Sequence, residues 1–302
     1  MPGVALLLAV GVVAATSWGA LLANHPAYPV ALILAALLGV VLVVSGALTR
    51  SRPSSGAVSL LLRLAGAAAG VGLAAVLVWY RPFEASSAAL EAMNSDATVT
   101  VTQDRSVITF TPAQESGAGL VLYPGARVDP RAYSVLAREI ARQGHPVVVP
   151  KCPFDTALLC VNAASDWVAD GAQWAVGGHS LGGVAASQFA GSGDQAVAGL
   201  VLWASWPAND LSAKALEVTS IYGSQDGLAE PAQVLAGAAD LPTPTTFVEV
   251  AGAVHAYFGD YGEQPGDGEP TTSRAEAQAE IVAATVALLD RLAEDAATDG
   301  ER

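Results

Sequence analysis

Hydrophobic and polar positions divide the chain into two parts near residue 82. Before that point lie three nearly uncharged apolar runs, at about residues 4–22, 30–48 and 60–80. Each run has about the 20 residues that an α-helix needs to cross the hydrocarbon of a bilayer. Residues 1–82 are therefore predicted to form three transmembrane helices.

Two other interpretations of these runs are weaker. Buried helices of a soluble protein have the same composition, and a signal peptide would account for the first run. Residues 1–3 carry no charged side chain of the kind that opens a signal peptide. A signal peptide would also leave the second and third runs unexplained.

Residues 83–302 show a different pattern. Asp96 to Phe110 alternate apolar and polar residues, as half-buried strands do, and short apolar runs then alternate with helical patterns. This order predicts βαβ crossovers, and hence an α/β domain with a doubly wound, mostly parallel sheet. The predicted strands are 119–125, 146–150, 174–178, 197–205, 218–222 and 245–250, and the predicted helices are 129–143, 157–169, one after Ser180, one from 231, and 273–296.

Composition agrees with this division and limits the partners. Hydrophobic residues make up 52% of the chain and charged residues 14%, more apolar than an ordinary soluble domain. The formal net charge of -14 argues against nucleic acid, because a phosphate backbone would be repelled. The expected partners are therefore a lipid bilayer and a small molecule.

A cluster of glycines surrounds one serine in the stretch "WAVGGHSLGGVAASQFA". Gly178, His179, Ser180, Leu181 and Gly182 fit the pattern G-x-S-x-G between a predicted strand and a predicted helix. This context is typical of a nucleophile elbow, a turn so sharp that only small residues fit on either side of the serine. Ser180 is therefore the candidate nucleophile.

A serine nucleophile needs a base and an acid that orients the base. Of the four histidines, His255 follows the last predicted strand and precedes the final helix, the place from which a base can reach the serine. Asp226 lies in a turn directly after the strand that ends near Tyr222, which favours it as the acid. Asp210, after the preceding strand, is the competing candidate.

An oxyanion that develops during acyl transfer needs backbone N–H groups already pointed at it. The N–H of Leu181, next to the nucleophile, is one expected donor, and that of Ala126, in the turn after the strand "GLVLYPG", is the other. Such a mechanism uses neither a metal nor an organic cofactor, and none is expected. The two cysteines are too few for a tetrahedral zinc site without histidines that the triad already uses.

The stretches "LVLYPGARVDPRAYSVLAREIARQGHPVVVPK", "GGHSLGG", "IYGSQDGLA" and "HAYFGDYGEQPGDGEP" together resemble the α/β-hydrolase superfamily, in particular the bacterial group close to dienelactone hydrolases and small esterases. The resemblance covers roughly residues 96–295. It implies a Ser180, Asp226 and His255 triad with Ala126 and Leu181 as the oxyanion hole. Dienelactone hydrolases proper use a cysteine nucleophile, so their substrate is not carried over, and Val254 stands where a polar residue is expected.

The resulting hypothesis is a membrane-anchored serine hydrolase, a carboxylesterase acting on a small ester through an acyl-enzyme. A ligand-binding or receptor-like module with the same fold, and an acyltransferase, remain alternatives. The site is expected to be shallow and open, because few residues separate the strands that end near Ser205 and begin at Val218. Four aromatic residues either form an apolar acyl wall or pack beside the sheet: Trp203, Trp206, Tyr257 and Phe258.

Two predictions concern the compartment. Cys152 and Cys160 enclose a short loop and either form a disulfide, which needs an oxidising environment, or remain two buried thiols. The loop between the second and third runs carries arginines, whereas the loop between the first and second has no lysine or arginine. The positive-inside rule then places the N-terminus and the arginine-bearing loop in the cytoplasm and the catalytic domain on the extracytoplasmic side of the membrane.

Overall fold

The computed structural model describes residues 2–49, 57–115, 117–168, 173–192 and 197–300. The chain divides into two compact units, residues 1–83 and 84–302. Each unit is described by itself below.

The first unit is helical. Helix α1 packs against both α3 and α4, and the hydroxyl of Tyr28 donates to the carbonyl of Leu77, 3.1 Å away. Leucine, valine and alanine dominate every helix, so apolar side chains lie on all sides rather than on one stripe. The helices are α1 (Pro2–Thr16), α2 (Trp18–Ala23), α3 (Ala27–Thr49) and α4 (Ala57–Trp79).

The prediction of three membrane-spanning helices holds in part. Within the described residues, two helical segments are long and apolar enough to cross a membrane, Ala27–Leu48 and Leu60–Trp79. The first predicted run is interrupted at Ser17, whose backbone (φ -141°, ψ 26°) leaves the helical region. Helix α1 therefore has 15 residues, shorter than the hydrocarbon requires, and this part of the prediction is corrected to two candidate spans.

The second unit is an α/β domain. Its one sheet, within the described residues, has the order β1-β2-β4-β3-β5-β6-β7-β8. The strands are β1 (Val99–Gln103), β2 (Val107–Pro112), β3 (Ala118–Tyr123), β4 (Val147–Pro150), β5 (Gln173–His179), β6 (Gly199–Trp203), β7 (Glu217–Gly223) and β8 (Thr245–Val250). The helices are α5 (Ser87–Glu91), α6 (Ser134–Arg142), α7 (Ser165–Val168), α8 (Leu181–Gly191), α9 (Pro231–Ala236) and α10 (Arg274–Gly300).

Strand pairing confirms the mostly parallel sheet. Strands β1 and β2 form an antiparallel hairpin at one edge, and β2 pairs antiparallel with β4. From β4 to β8 every neighbouring pair is parallel, so the carboxyl ends of these strands lie along one edge of the sheet. Strands β3, β4 and β6 are buried along their whole length because helices cover both faces of the sheet. In such sheets, ligands bind at the carboxyl edge.

One predicted helix of this unit is wrong. Residues 157–169 were expected to be one α-helix, but the chain there forms two short 3₁₀ turns followed by α7, which has only four residues. Cys160, between the two turns, has a φ of -142° that no helix accommodates, and it is joined to Cys152 by a disulfide with the two Cα atoms 5.5 Å apart. The crosslink holds this segment in a compact loop instead of a regular helix.

Candidate active site

Ser180 lies at the sharp turn between β5 and α8. Its backbone has φ 54° and ψ -122°, a conformation that a residue with a side chain adopts only when its surroundings impose it. A Cβ atom at Gly178 would collide with the backbone of Gly182, and one at Gly182 would collide with the carbonyl of Tyr123. Glycine at these two positions therefore permits the turn that raises the serine above the carboxyl edge of the sheet.

Asp226 and His255 come together at the same edge. Asp226 follows β7, and its Oδ2 accepts a hydrogen bond from Nδ1 of His255, which follows β8, at 2.8 Å. The other oxygen of Asp226 accepts from the backbone N–H groups of Leu228 and Ala229, at 2.8 and 2.7 Å. Both Asp226 and His255 are buried. With Nδ1 donating to the carboxylate, Nε2 of His255 is the nitrogen that can accept a proton.

The competing acid lies elsewhere. Asp210 is exposed, and its carboxylate accepts from the backbone N–H of Ser212 at 2.9 Å. Only Asp226 of the two candidate acids therefore contacts His255.

The imidazole of His255 lies directly beside the elbow. Its ring centroid is 4.4 Å from that of His179, the residue before the candidate nucleophile. Among the described residues, Ser180 Oγ and His255 Nε2 form no hydrogen bond. Hydrogen bonds between nucleophile and base are often long before substrate binds and shorten in the complex.

The two expected oxyanion donors are the backbone N–H groups of Leu181, which follows Ser180 in the chain, and of Ala126, which lies in the loop after β3. Within the described residues, neither the N–H of Ala126 nor that of Leu181 takes part in a backbone hydrogen bond. The loop that carries Ala126 is fixed on both sides, because Gly125 N donates to the Tyr133 hydroxyl at 2.7 Å and Arg127 N donates to the Asp155 carbonyl at 2.8 Å. Hydrogen bonds thus hold both neighbours of Ala126 in this loop.

The domain matches a known family along its catalytic part. The model of the family described as "Alpha/beta hydrolase family" matches residues 119–280, more than half of the chain, and this range includes every candidate site residue named above. The chain belongs to the alpha/beta hydrolase family. A comparison with curated proteins found no match.

The chain is also similar to several solved structures, including these three. A predicted CIB-like hydrolase from Thermoplasma acidophilum is 15% identical, with a TM-score of 0.46, over 64% of this chain and 99% of its own. An alpha-beta serine hydrolase homologue from Coxiella burnetii is 17% identical, with a TM-score of 0.43, over 63% and 98%. The esterase domain of a Rhodothermus marinus protein is 13% identical, with a TM-score of 0.46, over 64% and 98%.

The α/β hydrolase also has a buried polar link between the loop of Ala126 and the elbow, which the sequence analysis missed. The Tyr133 hydroxyl, which accepts from Gly125 N, lies 2.9 Å from Nδ1 of His179. Burial lowers the pKa of His179 well below its ordinary value, and the neighbouring His255 lowers it further. His179 is therefore neutral in the folded protein, and it connects the loop of Ala126 to the base of the turn.

Asp267 is a second residue that the sequence analysis missed. Its Oδ1 accepts from the backbone N–H groups of His255 at 3.0 Å and Gly227 at 3.3 Å, and its Oδ2 accepts from Ala256 N at 2.8 Å. One carboxylate therefore ties the loop of the candidate base to the loop of the candidate acid. The only sequence signal was its position in "GDYGEQPGDGEP", a polar stretch that gives no indication of its partners.

The four aromatic residues behave differently from one another. Trp203 is fully buried and its Nε1 donates to the Thr285 hydroxyl at 3.0 Å, so it packs beneath the sheet rather than facing a substrate. Phe258 is likewise buried, with its ring stacked near that of His179. Tyr257 has the guanidinium of Arg274 4.6 Å from its ring centroid, whereas Trp206 lines the same cavity as Ser180. The expected aromatic wall is thus reduced to one side chain.

Proposed function

We propose that this α/β hydrolase is a membrane-anchored serine esterase that cleaves small carboxylic esters through Ser180, His255 and Asp226. The observation that carries the proposal is the buried 2.8 Å hydrogen bond between His255 Nδ1 and Asp226 Oδ2 beside an elbow that forces Ser180 to a positive φ. A structural serine has no need of a strained turn, an oriented base and a buried acid together.

The chemistry follows from these positions. Nε2 of His255 takes the proton of Ser180 Oγ as that oxygen attacks the ester carbonyl carbon. Asp226 holds the ring in place and stabilises the imidazolium that forms. The N–H groups of Leu181 and Ala126 donate to the oxygen that becomes negative.

Collapse of this intermediate breaks the bond to the alcohol. His255 gives its proton to the leaving oxygen, and the acyl group stays on Ser180 as an ester. A water then attacks the acyl carbon while His255 takes one of its protons, and that proton returns to Ser180 Oγ when the acid leaves. Every step uses side chains and backbone of this chain, without a metal or an organic cofactor.

Hydrolysis of p-nitrophenyl butyrate by the purified chain in detergent tests the proposal. Ser180→Ala and His255→Ala should each remove nearly all turnover, and Asp226→Asn should lower kcat by about 10⁴-fold. Asp210→Asn is the matched control, because it removes the same charge from the competing acid and should retain wild-type kcat. Turnover that survives Ser180→Ala, or an equal loss in both aspartate variants, would refute the assignment.

Membrane anchoring is supported by the first unit. In the two candidate spans only 17% and 6% of the residues are buried, far less than in the core helix of a soluble protein. Large apolar side chains on these helices are exposed instead, and lipid would cover them. They include Ile33, Leu34, Val41, Leu61, Leu62 and Val76.

The side of the membrane follows from the loop between α3 and α4. Arg50 and Arg52 belong to that loop and lie outside the described residues, and Arg63 follows in α4. The positive-inside rule places this loop in the cytoplasm, so that α4 carries the chain outwards and the catalytic domain is extracytoplasmic. The Cys152 and Cys160 disulfide supports this side, because disulfides persist in oxidising compartments. The expected partners are a lipid bilayer and a small ester, not nucleic acid.

A further inference from the structure

A small cavity opens beside Ser180, at the carboxyl ends of β6 and β7. Its volume is about 150 Å³, and Ser180 forms part of its wall. The cavity lies on the β6 side of the elbow, whereas the oxyanion loop follows β3 on the other side. The remaining side chains around it come from α8 and from the segments that follow the two strands: Leu181, Val184, Ala204, Trp206, Leu228 and Ala229.

The cavity is apolar. None of its described lining residues carries a charge. The hydroxyl of Ser205 also lines the cavity, but it already donates a hydrogen bond to the backbone carbonyl of Ser180 at 2.7 Å. A charged or strongly polar group would lose its hydration here without a compensating partner. The cavity therefore suits an uncharged hydrocarbon group.

The position of the cavity relative to His255 decides whether the acyl part or the alcohol part of an ester enters it. The leaving oxygen must lie within hydrogen-bond distance of His255 Nε2, so the alcohol extends along His255. His255 is not among the described residues that line the cavity, whereas Ser180 and the oxyanion donor Leu181 are. The group that enters is then the acyl chain attached to the carbonyl carbon.

Size limits that chain. Ligand pockets for drug-sized molecules measure about 300–1,000 Å³, and an apolar cavity of about 150 Å³ holds a molecule the size of benzene. We propose that this cavity is the acyl site and that it restricts the enzyme to esters of short, uncharged acyl groups of about two to six carbons. The inference rests on the proposed function and specifies its substrate class.

Trp206 is the largest side chain that lines the cavity. Its Cβ packs so close to Gly237, at the end of α9, that a Cβ there would lie 3.0 Å from it, which limits how far the tryptophan can move away. Leu235 in α9 is exposed and lies outside the cavity lining. These two residues give a specificity variant and a matched control.

The test compares p-nitrophenyl acetate, butyrate, hexanoate, octanoate and decanoate, a series in which only the acyl chain changes. In the wild type, kcat/KM should be highest for butyrate or hexanoate and at least about 10-fold lower for octanoate. Trp206→Ala should raise the octanoate to butyrate ratio by about 10-fold, and Leu235→Ala should leave it unchanged. In a second arm, ethyl and octyl butyrate should differ less than about 3-fold, because the alcohol lies outside the cavity.

The outcomes separate the two proposals. Equal or faster hydrolysis of octanoate by the wild type, or an unchanged ratio in Trp206→Ala, would overturn the acyl site while leaving the esterase intact. A strong preference between the two butyrates with none along the acyl series would assign the cavity to the alcohol and likewise overturn it. Absence of turnover on every ester would instead reject the esterase itself, and the acyl site with it.

Discussion

Asp267 shows how one side chain can set the geometry of two others. It contacts no reacting atom, yet its carboxylate accepts the backbone N–H groups of His255, Ala256 and Gly227. Hydrogen bonds to an ionised acceptor are about twice as strong as neutral ones. We therefore expect Asp267 to position the loop of His255, the proposed base, relative to the loop of Asp226.

Replacement of Asp267 by Asn should lower kcat by about 10- to 100-fold, since displacements of about 1 Å at a catalytic group cost that much. Asn keeps the size of the side chain but presents either N–H₂ or a single oxygen where two oxygens now accept. Glu269→Gln, an exposed neutral substitution in the same loop, should keep wild-type kcat. Fluorescence melting separates a catalytic effect from unfolding, and wild-type kcat in a folded Asp267→Asn would show that the carboxylate does not position the base.

The buried imidazole of His179 should make the stability of the fold depend on pH. Burial holds its pKa well below the ordinary value of about 6.5, so the unfolded chain takes up a proton that the folded chain does not as the pH falls below about 6.5. Acidification therefore destabilises the fold through this residue. His179→Asn should be less stable than the wild type near pH 7.5 but should lose less stability between about pH 6.5 and pH 5.

Melting temperatures in detergent across this range measure the effect. Tyr133 and His255 face the same ring, and both remain in the variant, so the difference between the two curves isolates position 179. Parallel curves would mean that the histidine does not contribute to acid sensitivity.

At the residue scale, the sequence predicted the candidate residues that a local motif or a strand end marks. It missed residues whose partners are distant in the chain. Ser180, Asp226 and His255 each follow a predicted strand, so local pattern was sufficient to propose them. Tyr133 bonds to His179 in β5, 46 residues away, and Asp267 bonds to Gly227, 40 residues away. No local pattern identifies such partners. Trp203 and Trp206 differ by three positions, yet one is buried and the other lines the cavity, a difference that depends on where β6 ends.

At the scale of elements, the strand β8 was predicted more accurately than two of the helices. Strand β8 has the predicted bounds, Thr245–Val250. The segment predicted as one helix over 157–169 has helical composition, but within its described residues only α7 is α-helical, since the crosslink between Cys152 and Cys160 restrains the chain before it. The first apolar run is likewise interrupted at Ser17, which hydropathy does not reveal. In the segment after β4, the tertiary restraint of the disulfide outweighs intrinsic helix propensity.

The disulfide itself is testable. Thiol titration of the denatured chain isolated from its membrane should find no free thiol before reduction and two after it. Replacement of both Cys152 and Cys160 by Ser should lower the free energy of unfolding of the catalytic domain by about 2–3 kcal/mol, because the loop they close is short. Two thiols in the unreduced protein would rule the bond out.

At the scale of the whole molecule, the side of the membrane depends on α3 and α4 alone. If the loop between them is cytoplasmic, α4 leads outwards whether or not the first apolar run crosses the bilayer. The correction from three candidate spans to two therefore changes the expected side of the N-terminus but not that of the catalytic domain. On the proposed outer side of the membrane, the domain would meet esters that never enter the cell.

A protease added to intact spheroplasts should digest a tag placed after Arg302 and spare a cytoplasmic marker. The expected digestion follows from the arginines of the loop between α3 and α4. Substitution of Arg50, Arg52 and Arg63 by Gln, with lysines added before α3, should reverse the protection. A wild-type tag that resists the protease until the membrane is broken would place the catalytic domain in the cytoplasm. The disulfide would then no longer support an extracytoplasmic domain.

The central claim is that Ser180 is an activated nucleophile, and covalent trapping tests it most directly. The purified chain is treated with a fluorophosphonate, which reacts with serines activated by a base, and the adduct is located by peptide mass spectrometry. The account predicts one adduct, on the peptide that contains Ser180, with labelling abolished by Ser180→Ala and slowed strongly by His255→Ala. Absence of an adduct on the folded protein, or an adduct on another serine such as Ser205, would contradict it.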